Sequence, residues 1–356
     1  MKEMTKVLVV DDAAFMVNAL REILESDPDV EVVGTARNGK DALEKIKDLQ
    51  PDVVTLDVDM PVMDGIKTIR HVMIESPVPI VMLSSLFNHG DITFEALRLG
   101  VVDFLPKPSG AISRDIHQQG NRITERVKIA AAEKIENVRR VKLAKIEAGE
   151  RMTELYGYKM LDYMIALGTS LGGPNTIIRI LSRLSPDLPA AIVVIQEIMP
   201  NILPEFVNEF NAYTPWRVEV GRKDRQVEPG VCYICSNQEP LIVKVNSNQE
   251  VYLADSNNPQ RPLDALFASV AESFEKNAIA VLLTGVGDDG RNGFSKVREM
   301  SGVTIVQKAE TCVYPNLTQC AIEAGVVDII ADADDLPEHI ESAIRSGSVE
   351  DEMVMP

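Results

Sequence analysis

Short apolar runs rich in β-branched residues recur along the first hundred positions, each closed by a polar turn. Lys6-Val7-Leu8-Val9-Val10 leads into Asp11-Asp12, and Val53-Val54-Thr55-Leu56 leads into Asp57. Pro79-Ile80-Val81-Met82-Leu83 delivers Ser84, and Val101-Val102-Asp103-Phe104-Leu105-Pro106 delivers Lys107. Continuous runs of this length predict strands buried on both faces of a parallel sheet, and the amphipathic stretches 41–49 and 66–74 predict helices between them. The alternation repeats five times, which is βαβ periodicity. From about 121 to 158 the period lengthens. Ile123, Val127, Ala131, Ile135 and Val138 recur at helical spacing among Lys, Arg and Glu, predicting a long amphipathic helix that reads either as a solvated linker or as a docking or dimerising helix. A second alternation begins near residue 162, with apolar strands predicted at 163–167, 191–196 and 278–284, shorter ones at 231–234 and 241–245, and helices between. The second domain is therefore also α/β and doubly wound. Beyond about residue 347 the tail is acidic and expected to fray.

Composition narrows the class. A chain of 356 residues suggests two or three domains, and 45% hydrophobic with 25% charged residues is ordinary for a globular protein. No apolar stretch approaches membrane-spanning length, and the start MKEMTKVLVVDD lacks the pattern of a signal peptide, so no membrane insertion and a cytoplasmic location are expected. The net charge of −18 argues against nucleic-acid binding through a basic field. Cys232 and Cys235 have zinc-like spacing, but they fall in a strand-like run with no second ligand pair, so buried free thiols are the better reading.

The strand ends carry the chemistry. In an open doubly wound sheet, ligands collect outside the carboxyl ends of the strands at the point where strand order reverses. Asp11, Asp12 and Asp57 would share that pocket and repel one another unless a hard divalent cation is bound, and Mg²⁺ suits an all-oxygen site. A hydroxyl (Ser84) and an ammonium (Lys107) facing a metal-bound carboxylate suit the holding of a phosphoryl group on Asp57. Any one of these residues is an ordinary loop former; five in strand order are not. Residues 1 to about 122 resemble a two-component receiver domain, through VLVVDD, LDVDMPVMDG, VMLSS and DFLPKPSG. The resemblance implies a flavodoxin-like fold with Asp57 as phospho-acceptor. It further implies Asp11 and Asp12 as acidic metal-site residues, Ser84 and Lys107 as switch and phosphate contacts, and Phe104 as the switch aromatic. The run from Gly100 to Phe104 followed by Lys107-Pro108-Ser109-Gly110 is similar to the chemotaxis methylesterase branch.

In the second domain, the strand at 163–167 runs into Gly168-Thr169-Ser170-Leu171-Gly172-Gly173-Pro174 and then a helix. A strand, a Gly-rich turn and a helix expose a serine hydroxyl above a sheet, with backbone N–H groups at hand for an oxyanion. A phosphate-binding Gly loop would need a lysine that does not follow, and a purely structural Gly turn is the bland alternative. Residues of about 160 to 345 resemble the catalytic domain of the chemotaxis protein-glutamate methylesterases, anchored by ALGTSLGGP, VVIQEIMP, RPLDALFASVA, LLTGVGDDG and GVTIVQKAETCV. The resemblance implies a Rossmann-like domain in which Ser170 is the nucleophile and Asp289 the orienting carboxylate. The matching position for the family's general-base histidine is Glu197. A carboxylate with an ordinary pKa of about 4.3 is a far weaker base than imidazole. His71, His89 and His117 fall in or beside the receiver, and His339 falls in a predicted helix with Ile340 and Ile344. In a hydrolase order of Ser, Asp and His, His339 would be a base; otherwise it is a surface histidine. Leu171, Val286 and the segment SNQEP also depart from the family pattern.

The resemblance divides the chain into a receiver domain (1–122), a helical linker (123–158), a methylesterase-type domain (159–347) and an acidic tail (348–356). Two functions follow. In the first, a chemotaxis histidine kinase phosphorylates Asp57, the receiver leaves the mouth of the second domain, and Ser170 hydrolyses glutamate methyl esters or glutamine amides on methyl-accepting chemoreceptors. In the second, the esterase domain is catalytically inactive and serves as a phosphorylation-gated binding or phosphate-sink module.

Overall fold

A computed structural model of the chain describes residues 4–84, 90–108, 114–132, 160–170 and 172–354. The chain divides into two compact units, 1–141 and 142–356.

In the first unit the buried runs become strands and the amphipathic stretches become helices. The order is β1 (Thr5–Val10), α1 (Ala14–Glu25), β2 (Val30–Ala36), α2 (Gly39–Leu49) and β3 (Val53–Asp57), then α3 (Gly65–Glu75), β4 (Ile80–Ser84), α4 (Gly90–Leu99), β5 (Asp103–Pro106) and α5 (Arg114–Ala132). Every strand pairing is parallel and the sheet order is β2-β1-β3-β4-β5, so the reversal lies between β1 and β3. This is the flavodoxin-like order expected from the alternation. Asn38 and Asp64 start α2 and α3 by accepting from Asp41 N–H and Lys67 N–H. α5 reaches further than the boundary at 122 anticipates. Ile123, Val127 and Ala130 are fully buried, and Lys128 Nζ binds Asp27 at 2.8 Å and Asp29 at 3.2 Å, so this stretch packs on the first unit instead of facing water. The rest of the anticipated linker helix, with Ile135 and Val138, lies outside the described residues, as do His89 and Leu171.

The second unit runs β6 (Tyr163–Thr169), α6 (Gly173–Leu181), β7 (Ala190–Gln196), α7 (Leu203–Asn211), β8 (Arg217–Val220) and β9 (Val231–Ser236). β10 (Leu241–Val245), β11 (Val251–Asp255), α8 (Pro262–Phe274), β12 (Ala278–Leu282) and α9 (Arg291–Glu299) follow, then β13 (Val303–Gln307), α10 (Asn316–Glu323), β14 (Ile329–Ala331) and α11 (Leu336–Val354). Seven parallel strands form one sheet in the order β14-β13-β12-β6-β7-β9-β8, with the reversal between β6 and β12. β10 and β11 form a separate antiparallel hairpin, fastened to α8 by Val243 N–H on Ser269 Oγ at 3.1 Å. β12 stops two residues before the strand end expected at 284, because Thr284 N–H turns to the Gln307 side chain at 3.1 Å. Phe267 and Phe294, 5.1 Å apart, sit in the core between α8, α9 and the sheet. All four cysteines are free, and Cys232 and Cys235 are buried in β9, where desolvation pushes the Cys235 thiol up to about 12.

Two non-glycine residues of the first unit lie in left-handed space, Gln50 at the end of α2 and the β-branched Val62, of which Val62 carries the greater strain. Val62 holds φ +69° in the loop after β3 with its side chain 82% exposed, so a β-branched residue occupies left-handed space with little packing in return. Relief of about 1–2 kcal/mol in Val62→Gly, partly offset by about 0.5–1 kcal/mol of backbone entropy, predicts a small net stabilisation. It is read as an upward shift of a few degrees in the first unit's thermal transition.

Candidate functional site

Strand pairing assembles the first pocket. Val10 lies opposite Leu56, so Asp11 and Asp57 leave neighbouring strands side by side, while the pairings of Asp57 with Leu83 and of Ser84 with Pro106 bring Ser84 and Lys107 to the same edge. One oxygen from each of Asp11, Asp12 and Asp57 lies within 4.8 Å of the others. Asp11 and Asp57 are buried and Asp12 is exposed. Lys107 Nζ spans the pair, 2.7 Å from Asp11 Oδ2 and 2.9 Å from Asp57 Oδ1. Its own N–H donates to Ser84 O at 2.9 Å. Val58 N–H donates to Asp57 Oδ1 at 2.8 Å, and Ala13 N–H to Asp11 Oδ1 at 3.0 Å. Burial pushes the Asp57 carboxyl above its usual range, against the opposing pull of Lys107. Burial also works against the Lys107 ammonium, but its bonds to Asp11 and Asp57 outweigh that and raise it. Three carboxylates facing one ammonium leave excess negative charge among oxygen donors, which fits a hard divalent cation. Phe104 is half-buried on β5, against the sheet's hydrophobic core.

The second site forms where β6 and β12 part. Leu282 lies opposite Gly168, so the turn after β6 meets the turn after β12. Ser170 N–H donates to Thr284 O at 3.2 Å, Thr169 Oγ1 donates to the same oxygen at 2.7 Å, and Val286 N–H donates to Ser170 Oγ at 2.8 Å. Gly173 N–H closes the turn on Ser170 O at 3.1 Å, as the chain enters α6 through Gly172 at φ +72°, where a Cβ would collide with Val313. The hydroxyl is half-buried, with a backbone amide aimed at its oxygen, a geometry that favours negative charge at that point. Gly285 makes the approach possible. A Cβ there would sit 2.6 Å from Ser170 Oγ and 2.9 Å from Ser170 N, and would press on Leu317.

Gln196, opposite Thr169 in the β6–β7 register, ties the next strand in. Its Nε2 donates to Ser170 O at 3.0 Å and to Glu197 O at 3.2 Å, so the half-buried Glu197 follows directly beside the serine turn. Asp289 is differently placed. Its Oδ2 accepts from Leu263 N–H at 2.8 Å, and its Oδ1 accepts from Asp264 N–H at 3.0 Å and Gly290 N–H at 2.9 Å. It thus caps α8, and burial pushes its carboxyl up although the α8 amides pull the other way. Asp264 returns the favour to α9, accepting from Gly290 N–H at 3.0 Å and Gly293 N–H at 2.8 Å through Oδ1. Its Oδ2 takes Arg261 Nε at 2.5 Å and Asn292 Nδ2 at 3.0 Å. Sequence reasoning named Val286 only as a departure from the family pattern and missed its N–H as a donor, and it missed the bonding roles of Gln196, Arg261 and Asp264. A backbone donor has no side-chain signature, but Asp264 two places after a first-turn proline was a readable sign of an acidic helix start. Of the histidines, His71 pairs with Glu75 on α3 at 3.0 Å, and His339 is half-buried on α11, a helix that packs on α6, β13 and β14. His117's side chain lies outside the described residues.

Residues 7–117 match the response regulator receiver domain family, and residues 165–340 match the CheB methylesterase family. A protein-glutamate methylesterase/protein-glutamine glutaminase of Caldanaerobacter subterraneus subsp. tengcongensis is 36% identical, covering 94% of this chain and 95% of the relative. One from Methanococcoides burtonii is also 36% identical, covering 95% of this chain and 97% of that protein. The crystal structure of the Thermotoga maritima CheB methylesterase catalytic domain superposes with a TM-score of 0.47 at 30% identity, covering 51% of this chain and 97% of that one.

Two substitutions probe the pockets. In Lys107→Met the buried Asp11 and Asp57 lose their counter-charge, which costs about 3–5 kcal/mol in metal-free buffer by urea unfolding. Millimolar Mg²⁺ or a second change, Asp57→Asn, recovers part of the loss. Gly285→Ala forces a methyl group against Ser170 and Leu317 and lowers the second unit's stability by about 1–3 kcal/mol in the same assay.

Proposed function

This chain belongs to the CheB methylesterase family of chemotaxis response regulators, with a receiver and a methylesterase domain, and we propose that it is a phosphorylation-controlled hydrolase in which Asp57 receives the signal and Ser170 performs the chemistry. In the receiver, a phosphoryl group passes from a kinase's histidine nitrogen to an Asp57 oxygen. The P–N bond breaks as the P–O bond forms, and the nitrogen keeps the electron pair. Lys107 and the Ser84 hydroxyl then hold phosphoryl oxygens, and Phe104 repacks with Ser84 as the switch. Asp11, Asp12 and Asp57 would hold Mg²⁺, which neutralises charge on the phosphoryl oxygens when bound.

In the second domain the reading rests above all on the Ser170 hydroxyl standing at the strand reversal, 2.8 Å from Val286 N–H. Ser170 Oγ adds to the carbonyl carbon of a glutamyl methyl ester, and Glu197 takes the hydroxyl proton. The Val286 amide, which faces Ser170 Oγ, turns to the oxyanion as that oxygen bonds to the carbonyl carbon. Methanol leaves with that proton, and water then releases glutamate from Ser170. A glutamine amide follows the same course, with ammonia as the leaving group. Asp289 organises the loop between β12 and α9. Glu197 is assigned the base because the Gln196 amide fixes its backbone beside the serine turn. The substrates are methyl-accepting chemoreceptors and the phosphodonor is the chemotaxis histidine kinase. Among the described residues no helix is long and apolar enough to cross a membrane.

Methanol release from a methylated chemoreceptor tests the whole reading. A small acyl-phosphate donor should stimulate release from the native chain, Asp57→Asn should keep only the basal rate, and Ser170→Ala should abolish both. Glu197→Gln should lower kcat by about 100-fold or more. Unchanged turnover in Ser170→Ala defeats the assignment of the nucleophile. No release from the native chain, with Asp57 still taking up phosphate, selects the inactive binding module.

A further inference from the structure

Three successive amides of the turn after β12 face three different acceptors. Gly285 N–H donates to Tyr314 O at 2.9 Å, Val286 N–H to Ser170 Oγ at 2.8 Å, and Gly287 N–H to Asn316 Oδ1 at 2.6 Å. The turn itself is too loose to hold that arrangement. Val286 lies between two glycines, and Gly287 stands at φ +110°, where a Cβ would meet nothing nearer than Leu317 at 3.8 Å. A peptide flanked in this way has many conformations open to it, so its direction is set by what binds it from outside.

The start of α10 supplies two of the ties. Leu317 N–H, one of the helix's first amides, donates to Gly285 O at 3.1 Å. In a trans peptide the carbonyl and the following N–H point in opposite directions. Fixing Gly285 O on α10 therefore turns Val286 N–H away from that helix and toward Ser170. Asn316, the first residue of α10, takes the next peptide. Its Oδ1 accepts Gly287 N–H, while its Nδ2 lies 4.0 Å from Cys320 Sγ one turn further on. The tie from Leu317 is main chain to main chain, so its side chain does not enter; the tie from Asn316 depends on the residue at that position. The side-chain bonds of Asn316 go to Gly287 and Cys320 and not to Ser170, so it acts on the reacting oxygen through the Val286 amide.

We infer that Asn316 is a positioning residue of the hydrolytic site: by holding Gly287 N–H it keeps the Val286 amide aimed at Ser170 Oγ and at the oxyanion that follows. The inference rests on the methylesterase reading and adds the side chain that sets the direction of its oxyanion donor.

The test compares the full-length native chain with Asn316→Ala, which removes the tie, and Asn316→Asp, which keeps an acceptor oxygen. Methanol release from a methylated chemoreceptor gives kcat and KM. Amide hydrogen exchange at Val286 is followed by NMR on chains carrying isotopically labelled valine, with Ser170→Ala as the reference for a Val286 amide that has lost its acceptor. Asn316→Ala should lower kcat about 10- to 100-fold at unchanged KM. Val286 exchange should quicken about tenfold in that variant, toward the Ser170→Ala rate. Asn316→Asp should return Val286 to slow exchange. A native kcat in Asn316→Ala overturns the assignment, and so does Val286 exchange as fast in Asn316→Asp as in Asn316→Ala, because any change at the helix start would then loosen the turn. Should the native chain release no methanol, the hydrolase reading fails by itself and Val286 exchange decides the inference. Faster exchange in Asn316→Ala with slow exchange kept in Asn316→Asp sustains it, and unchanged exchange in Asn316→Ala removes it.

Discussion

Reversal of strand order is the constraint from which both sites follow. Each sheet begins at an inner strand and grows first to one side and then to the other, so the loops leaving the two strands at the reversal diverge and leave a crevice. In the first unit those strands are β1 and β3, and the residues that leave them are Asp11 and Asp57. In the second they are β6 and β12, and the turns that leave them carry Ser170 and Val286. Asp57 and the turns that carry Ser170 and Val286 therefore stand at the ends of fully buried strands, where the backbone has little freedom to drift.

The crevices are polar inside an apolar fold, and each satisfies its polar groups in its own way. The first gathers carboxylates around a single lysine, so its balance of charge changes whenever a cation or a phosphoryl group enters. Removing charged partners from such a low-dielectric site is costly, which couples the chemistry at Asp57 to the packing around it. The second is built mainly from neutral hydrogen bonds. Thr169, Ser170, Gln196 and Thr284 bond one another's backbones, holding three strand ends in register.

Much of this was legible in the chain. The first unit's strands follow directly from continuous β-branched runs, and the residues that close those runs are the ones the structure gathers at one edge. The Gly-rich turn after β6 was equally plain. Less legible were features that depend on a distant partner. The reach of α5 into the first unit depends on where Asp27 and Asp29 lie, and nothing in the spacing of Ile123 and Val127 says whether their stripe faces a core or water. The Val286 donor is main chain. Its contact with Ser170 is set by the Leu282–Gly168 register and by the bare Cα of Gly285, neither of which leaves a local pattern.

Asp289 shows why a motif match and a role are different things. An orienting carboxylate in a hydrolytic triad is expected to point at an imidazole, and Glu197 occupies the position where the resemblance places that imidazole. Yet Asp289 has work independent of any base. It binds three backbone amides, starts α8, and through Asp264 is joined to the start of α9. Those bonds hold the loop between β12 and α9, and that loop is what presents Val286 N–H to Ser170. Loss of Asp289 would leave the α8 amides unpaired whether or not the site turns over. Its presence is therefore required by the fold and carries little information about catalysis. The informative position lies on the other side of the serine, at the end of β7, where the Gln196 amide ties the backbone carbonyls of Ser170 and Glu197 together.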